Sequence, residues 1–330
     1  MTSGCVLFAT LSVITATWLP PGDHIREFPF DGLIRSYAVH IPPSYDPAKP
    51  TPVILVFHSA MMNGSMMARF CGLSEKANQA GFVVVYANGT GSTPFFLYWD
   101  AGGVRGRVAD DVGYVRKLLD DLATVVHVDP NRVFATGMSN GAMMCYRLAA
   151  ELSERIAAIA PVAGTMAIDQ CHPHRPVSVL HFHGTKDGLV HWGGPDERTP
   201  KNIKFHSVDE TIQTWVKANG CPEVPLVADL QDRANDGTRV RRQCYGPGKE
   251  ASEVVLYIIE GGGHTWPGRD PRLRILGKST RDVSANDLIW DFFQKHPMQP
   301  VSRARTGHIA AKPVAASTIV HDDSRREGGR

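Results

Sequence analysis

The segment RVFATGMSNGAMMCYRLA, residues 132–149, contains the strongest local signal in the chain. It begins with a short apolar run, Arg132–Thr136, which is typical of a buried β-strand, and from Asn140 onward its apolar residues follow helical spacing. Glycines on both sides of the intervening turn allow a sharp reversal without Cβ clashes. We therefore predict that Ser139 lies at the tip of a strand, directly before the amino terminus of a helix.

The same alternation of strand and helix extends over most of the chain. Apolar runs of strand length are predicted at Arg35–Ile41, Val53–Phe57, Phe82–Tyr86, Arg132–Thr136, Ile156–Pro161, Val177–His183 and Val254–Ile259. Helical periodicity is found at Asp110–Val126, Asn140–Leu152, Val208–Asn219 and Ala285–Gln294. Because strands buried on both faces are typical of parallel sheets, we predict an α/β fold with a mostly parallel central sheet and helices on both faces.

The composition excludes several function classes. Among 330 residues, 35 Lys and Arg face 33 Asp and Glu, a net charge of +2, which is too balanced to indicate nucleic acid or an anionic membrane as partner. No apolar run reaches the roughly 20 residues needed to span a bilayer. A hydrophobic content of 43% is that of a globular protein. We expect a monomer or weak dimer.

The two ends differ from the middle. Val6–Leu19 is apolar apart from Thr and Ser and is followed by two prolines, which resembles a secretory signal, although Met1–Gly4 lacks Lys and Arg. We therefore predict a signal-like or disordered segment at residues 1–22 and a secreted or periplasmic protein; a first strand or frayed terminus is the alternative. Residues 23–297 form the predicted catalytic domain, and 298–330 a flexible tail.

A serine hydroxyl needs a base to become nucleophilic, and the base needs an orienting acid. Asp187 follows the predicted strand Val177–His183, and His264 follows the predicted strand Val254–Ile259. Since the carboxyl ends of parallel strands meet at one sheet edge, we predict a triad of Ser139, Asp187 and His264.

Two other residues are alternative candidates for the acid and the base. Asp196 lies on the same loop as Asp187 and is the alternative acid. His191 is the alternative base, but it lies on the acid's own loop and cannot easily face it.

The tetrahedral intermediate of acyl transfer also needs hydrogen-bond donors for its oxyanion. The backbone N–H of Asn140, immediately after the serine, is one predicted donor, and the N–H of Ala60, in the loop after Val53–Phe57, is the other. We interpret His58 as a structural histidine that ties this loop down.

These motifs, in this order, carry a family resemblance. ATGMSNGAMMCYRLA and IAAIAPVAGTM within residues 110–166, HFHGTKD at His181–Asp187 and GGGHTWPG at Gly261–Gly268 resemble the polyhydroxybutyrate depolymerase and feruloyl esterase group of α/β-hydrolases. The likeness extends over roughly His24 to His296.

The resemblance implies an α/β-hydrolase fold and a cofactor-free serine carboxylester hydrolase with Ser139 as nucleophile, Asp187 as acid and His264 as base. It implies feruloyl or acetyl esters of plant polysaccharide, or short polyhydroxyalkanoate polyesters, as substrates. One departure is Ser59, where the group has glycine. If that position needs a positive φ, the serine is strained by about 1 kcal/mol or more; alternatively its hydroxyl is an extra oxyanion donor.

The group commonly has a disulfide before the catalytic histidine, and this resemblance implies a Cys221–Cys244 bridge. Cys145 lies within the predicted helix after Ser139 and is expected to be a buried free thiol. The pairing of Cys71 and Cys171 is left open.

Three tryptophans are candidate substrate contacts because aromatic walls suit aryl esters and sugar faces. Trp99 follows an aromatic loop, Trp192 lies just beyond Asp187, and Trp266 lies two residues after His264. The alternative for each is that it packs a loop onto the core.

Two other function classes have some support in the sequence. His181 and His183 share one face of a strand, and Cys171-His172-Pro173-His174 is a second His-rich stretch, so a metal-dependent hydrolase is one alternative. The other alternative is an inactive hydrolase fold that serves as a binding protein. Because all three triad residue types are present in the expected order, we expect neither metal nor inactivity.

Overall fold

A ten-stranded sheet forms the centre of the structure, a computed structural model that describes residues 18–103, 109–271 and 273–299. The strands are β1 (Gly22–Phe30), β2 (Leu33–Ile41), β3 (Thr51–Phe57), β4 (Val83–Ala87), β5 (Thr90–Thr93), β6 (Phe96–Tyr98), β7 (Val128–Met138), β8 (Ala158–Val162), β9 (Ser178–Gly184), β10 (Leu226–Asp229), β11 (Arg239–Tyr245) and β12 (Val254–Glu260). The helices are α1 (Gly64–Cys71), α2 (Leu73–Ala80), α3 (Asp111–Leu122), α4 (Asn140–Glu151), α5 (Val208–Asn219) and α6 (Ala285–Lys295).

The sheet has the order β1-β2-β4-β3-β7-β8-β9-β12-β11-β10, and β5 pairs with β6 in a separate hairpin. From β4 to β12 all neighbouring strands are parallel, while both edges are antiparallel. Every residue of β3, β4, β8 and β9 is buried, as expected of strands covered on both faces. This is the predicted mostly parallel sheet, and the architecture is that of an α/β-hydrolase.

The helices divide between the two faces of the sheet and build two apolar cores. Apolar residues of α3, α4 and α5 pack in one core, and those of α1, α2 and α6 pack in the other. Local sequence explains the helix ends. Ser207 and Glu210 form a reciprocal capping box at the start of α5, and Gly220 ends that helix in the left-handed conformation.

The predicted strands and helices are all present, with ends shifted by a few residues. The sequence prediction lacked β1, β5, β6, β10, β11, α1 and α2. The last two are each only eight residues long and are separated by Gly72, whose φ is 64°, so neither shows a long helical period.

The folded unit extends slightly beyond the predicted bounds of 23 and 297. The Leu19 N–H donates to the carbonyl of Val125, and the Met298 N–H donates to that of Asn131. Most of the signal-like segment, residues 1–17, and the tail from residue 300 lie outside the described residues. Among the described helices, none is long and apolar enough to cross a membrane.

Candidate active site

Ser139 stands at the tip between β7 and α4 in a backbone conformation that side-chain-bearing residues rarely adopt. Its φ is 58° and its ψ is −122°, and a non-glycine residue with positive φ costs about 1–3 kcal/mol and is often found at functional sites. Its N–H donates to the carbonyl of Val162, and its own carbonyl accepts from the Met143 N–H, both at 3.0 Å. The hydroxyl does not cap the helix, so it is left for another partner.

Two glycines permit the close packing around this turn. A Cβ at Gly141 would collide with the carbonyl oxygen of Phe57 at the end of β3, and a Cβ at Gly164 would collide with that of Ser139. Glycine is therefore required where the end of β3 approaches the first turn of α4. This contact brings the loop after β3 next to the serine.

Asp187 and His264 meet from the ends of β9 and β12. His264 Nδ1 lies 2.7 Å from Asp187 Oδ2, and both side chains are buried. The other carboxylate oxygen, Oδ1, accepts the backbone N–H groups of Leu189 at 2.8 Å and Val190 at 2.9 Å. Both oxygens of the carboxylate are thus held by donors, and His264 is held in one orientation.

The electrostatics of Asp187 favour the ionised form. Burial raises the pKa of this carboxyl, but the hydrogen bond from His264, the neighbouring imidazoles and the Leu189 N–H outweigh it, so the pKa lies below its usual value. A carboxylate is therefore present beside His264 at neutral pH.

The loop that carries His264 is pinned by the segment that follows it. The His264 N–H donates to the carbonyl of Leu276 at 2.7 Å, and the Gly263 N–H donates to that of Lys278 at 2.9 Å. His264 and Ser139 line the same cavity. Because Nδ1 is engaged by Asp187, Nε2 is the ring nitrogen left for the serine hydroxyl.

The loop after β3 is held by His58, which confirms its structural interpretation. Its Nε2 accepts the N–H of Gly89 at 3.0 Å, and its Nδ1 donates to the carbonyl of Ser59 at 2.8 Å. The carbonyl of His58 accepts the indole N–H of Trp99 at 3.0 Å. The imidazole is buried and connects this loop to the strand end after β4.

The backbone strain expected at Ser59 falls two residues later. Among the described residues, Met61 has a φ of 60°, while Ser59 is not in the positive-φ region. Ser59 and Ala60 both line the cavity that contains Ser139. Across the turn, the Asn140 side chain accepts the N–H of Trp99 at 2.7 Å and donates to its carbonyl at 3.1 Å. Asn140 therefore joins the start of α4 to the Trp99 segment.

The cavity has a volume of about 660 Å³ and a mostly apolar surface. Its apolar wall consists of Met61, Met62, Met66, Phe70, Met138, Leu189, Leu273 and Leu276. The sequence prediction did not include these residues. One sequence signal points to this wall: three methionines lie within residues 61–66, in and just after the predicted oxyanion loop.

A comparison with known proteins assigns the family. The chain is 31% identical over 285 residues to NocK of Nocardia uniformis subsp. tsuyamanensis, which is named as an esterase, and the match covers 81% of each protein. The chain belongs to the α/β-hydrolase esterases. This esterase is accordingly a carboxylic ester hydrolase.

Other proteins and one family model are also similar to this esterase. Feruloyl esterase B of Piromyces equi is 29% identical over 237 residues, or 70% of this chain, although the match spans only 42% of that longer protein. The family model described as the prolyl oligopeptidase family matches residues 73–175. The solved acetyl xylan esterase of Aspergillus awamori superposes with a TM-score of 0.53 at 16% identity, over 73% of this chain and 94% of that one. At such low identity it supports the fold alone.

Two of the predicted substrate contacts of the esterase are wrong. Trp99 is completely buried, between Phe57 and Tyr114, and its indole N–H is used by His58. Trp266 is 1% exposed and donates to the side chain of Asn286. Both rings pack loops onto the core, which was the alternative interpretation.

Trp192 and the alternative acid and base lie around a separate open depression of about 540 Å³. Asp196 pairs with Arg198 at 2.7 Å, and His191 Nε2 lies 3.0 Å from the carbonyl of Gly188. These two bonds do not involve Asp187 or His264. Trp192 is half-buried at the rim and borders Asp187 from outside.

The histidines of the metal alternative are engaged with each other. His181 uses its ring nitrogens toward Tyr146 and His183, and His183 uses its own toward His181 and the carbonyl of Val190. Neither has a free nitrogen to offer a metal. Within the described ranges, no group of three or more His, Cys, Asp or Glu side chains is arranged to hold an ion.

The predicted Cys221–Cys244 disulfide is not formed in the structure, where both residues are free thiols. Cys221 packs in the core of α3, α4 and α5 and points to the carbonyl of Ser252 at 3.7 Å, whereas Cys244 belongs to the other core. Cys145 is the expected buried free thiol, and burial holds its pKa well above the usual value. Cys71 and Cys171 are free as well.

Proposed function

We propose that this esterase works through Ser139, His264 and Asp187 in two acyl-transfer steps. Ser139 Oγ attacks the ester carbonyl while His264 Nε2 takes its proton, and the Asp187 carboxylate stabilises the resulting imidazolium. The alcohol leaves with that proton. A water molecule, activated by His264, then attacks the acyl-enzyme and releases the acid.

The backbone N–H groups of Asn140 and Ala60 bind the oxyanion in this proposal. Asn140 begins α4, so its N–H belongs to the positive end of that helix. Ala60 lines the same cavity as Ser139, on the loop held by His58. A single oxyanion donor of this kind contributes about 2.7–4 kcal/mol to the reaction barrier.

The observation that carries the substrate proposal is the large apolar cavity in front of Ser139. A cavity of about 660 Å³ lies in the range of sites for drug-sized ligands, roughly 300–1,000 Å³. A hydroxycinnamoyl group would place an aromatic ring against this apolar wall, whereas an acetyl group would contact only a small part of it. Together with the similarity to feruloyl esterases, this favours an aryl-acyl ester of plant polysaccharide as the substrate.

The depression around Trp192 is proposed to receive the carbohydrate. Leu189 lines the apolar cavity, while Asp187 and Gly188 line the depression. The chain at residues 187–189 therefore lies between the two spaces. An indole ring beside charged side chains such as Asp196 suits the apolar face and hydroxyl groups of a sugar.

A short hydroxyalkanoate polyester is the second candidate substrate. Around the cavity, Phe95, Phe96 and Ile275 are 63%, 49% and 86% exposed, and the Phe95–Phe96 hairpin joins the cavity loop through the pairing of Met62 with Leu97. An exposed apolar rim of this kind would contact a polyester chain favourably.

Initial rates on methyl ferulate, acetylated xylan, a hydroxybutyrate oligomer and nitrophenyl esters of graded chain length test the proposal. The largest kcat/KM is expected for methyl ferulate, and inactivation is expected with a serine-directed phosphonate but not with a chelator. A preference for acetylated xylan, or inactivation by the chelator, would contradict it.

We also propose that the enzyme acts outside the cytoplasm, because Val6–Leu19 resembles the apolar part of a secretory signal. Amino-terminal sequencing of the mature enzyme from the native host should begin after this segment. A mature protein that retains Met1 and remains in the cytoplasm would overturn the proposal.

A further inference from the structure

The two histidines of β9 form a buried hydrogen-bonded line that the proposed reaction does not use. His181 and His183 are 0% and 1% exposed, and as alternate residues of a strand they project from one face. His181 Nε2 lies 3.1 Å from His183 Nδ1. The hydroxyl of Tyr146, on α4, lies 2.7 Å from His181 Nδ1 at one end, and the carbonyl oxygen of Val190 lies 2.8 Å from His183 Nε2 at the other.

The end at Val190 determines the direction of every bond in this line. A carbonyl oxygen can only accept, so a neutral His183 carries its proton on Nε2 and accepts at Nδ1 from His181. A neutral His181 is then protonated at Nε2 and accepts the hydroxyl proton of Tyr146 at Nδ1. The line thus gives each neutral imidazole a single tautomer.

Burial supports the neutral state of both rings. It lowers the pKa of His181, and the neighbouring His183 lowers it further. Burial also lowers the pKa of His183, against the opposing effect of the Asp187 carboxylate, while His264 acts in the same direction as burial. Asp187 is thus the charged partner next to His264, and the line behind it contributes fixed dipoles.

Val190 connects the line to the acid. Its carbonyl accepts from His183, while its N–H donates to Asp187 Oδ1 at 2.9 Å. His183 Nε2 also lies 3.6 Å from Asp187 Oδ2, the oxygen that accepts from His264. The ring of Trp192 stands edge-on to His183 at 5.9 Å and covers it from outside. His183 therefore holds the carbonyl of the same residue whose N–H helps to orient the carboxylate.

We propose that His183 is a positioning residue for the Asp187–His264 pair and that His181 and Tyr146 fix its tautomer. This inference rests on the proposed function of Ser139, His264 and Asp187. His183 acts by holding the turn that supplies N–H donors to the acid, so its loss lets the carboxylate move while all reacting groups remain present.

The decisive variant is His183→Phe, which keeps a buried ring but removes both nitrogens. With active sites counted by stoichiometric phosphonate labelling, kcat on methyl ferulate or a nitrophenyl ester should fall about 10- to 100-fold, the scale expected for a misplacement of about 1 Å, with KM little changed. The acidic limb of the kcat/KM profile should shift to lower pH, because a loosely held carboxylate stabilises protonated His264 less.

Two further variants and a control separate this effect from a general loss of packing. His183→Gln retains a donor toward Val190 and should restore most of the rate, and Tyr146→Phe should shift the acidic limb in the same direction with a smaller loss. His127→Gln is the matched control, because this imidazole also bonds a carbonyl, that of Pro47 at 3.0 Å, and it should behave as wild type.

An unchanged kcat and an unchanged acidic limb in His183→Phe would overturn the inference. If that variant does not fold, an unshifted limb in Tyr146→Phe would overturn it. Activity retained by Ser139→Ala would instead overturn the proposed function, whereas an inactive Ser139→Ala together with a fully active His183→Phe would remove only the positioning role.

Discussion

The cluster of Ser139, Asp187 and His264 and the apolar wall of the cavity are built on different physical principles. The side chains of Asp187 and His264 are 0% and 3% exposed and are held by short hydrogen bonds, and Ser139 occupies a strained turn with a bonded backbone. In the wall, Met61 is 55% and Leu273 is 61% exposed. The cluster is fixed by directional bonds, while the wall consists of apolar side chains, several of them exposed.

This difference agrees with the role proposed for each region. Groups that exchange protons and attack a carbonyl require near-attack geometry, and small displacements are costly. A wall that receives an acyl group needs apolar area and adaptability, which methionine supplies because its side chain is unbranched and flexible. Changes in the cluster should therefore affect every ester alike, whereas changes in the wall should alter the choice of ester.

The largest effect is expected from removing the proposed nucleophile of the cluster. Ser139→Ala should lower kcat by about 10⁶-fold on all esters, with KM little changed, because the covalent step is lost. Ser65→Ala, an exposed serine on α1, is the control. Steady-state kinetics with purified protein measure the change, and residual activity above a few per cent would contradict the role of Ser139.

A smaller and selective effect is expected from filling the wall. Met66→Trp should reduce kcat/KM for methyl ferulate roughly 10- to 200-fold, the range by which pocket size discriminates ligands, and should affect nitrophenyl acetate far less. Ser65→Trp places the same ring on the exposed side of α1 and serves as control. Equal losses on both esters would show that the wall does not select the acyl group.

The smallest effect is the pH dependence of the free energy of unfolding, which three buried histidines contribute to. The pKa values of His181, His183 and His296 are lowered by burial in the folded state, so below about pH 6.5 the unfolded chain binds more protons and stability falls. For each imidazole, the free energy of unfolding should fall by up to about 1.4 kcal/mol per pH unit, until the pH reaches the pKa of that imidazole in the folded state.

Urea unfolding at pH 7.5, 6.5 and 5.5 measures this dependence. Asp187 acts in a separate window: its lowered pKa contributes stability that is present above the unfolded value of about 3.9 and is lost only as pH falls through the lower folded value. His181→Gln should reduce the slope between pH 6.5 and 5.5. If the free energy of unfolding is the same at pH 7.5 and 5.5, burial does not keep these rings neutral.

Sequence reasoning was effective where a function depends on local chain geometry. Short patterns predict the strand, turn and helix around Ser139 and the positions of Asp187 and His264 after their strands. In the structure, His264 Nδ1 lies 2.7 Å from Asp187 Oδ2. Sequence reasoning failed for Trp99 and Trp266, because proximity along the chain does not determine the direction of a side chain. It also failed for the bridge between Cys221 and Cys244, which are free thiols in different apolar cores.

The amino-acid sequence by itself determined the alternating strands and helices, the glycine-flanked turn at Ser139 and the order of the three candidate catalytic residues, because each depends on neighbours within a few positions. Only the tertiary structure decided which side chains line the cavity. The apolar wall combines the loop after β3, α1 and the segment 273–276, which are far apart in the chain. Their meeting depends on how the helices and loops pack on the sheet, and no local pattern contains that information.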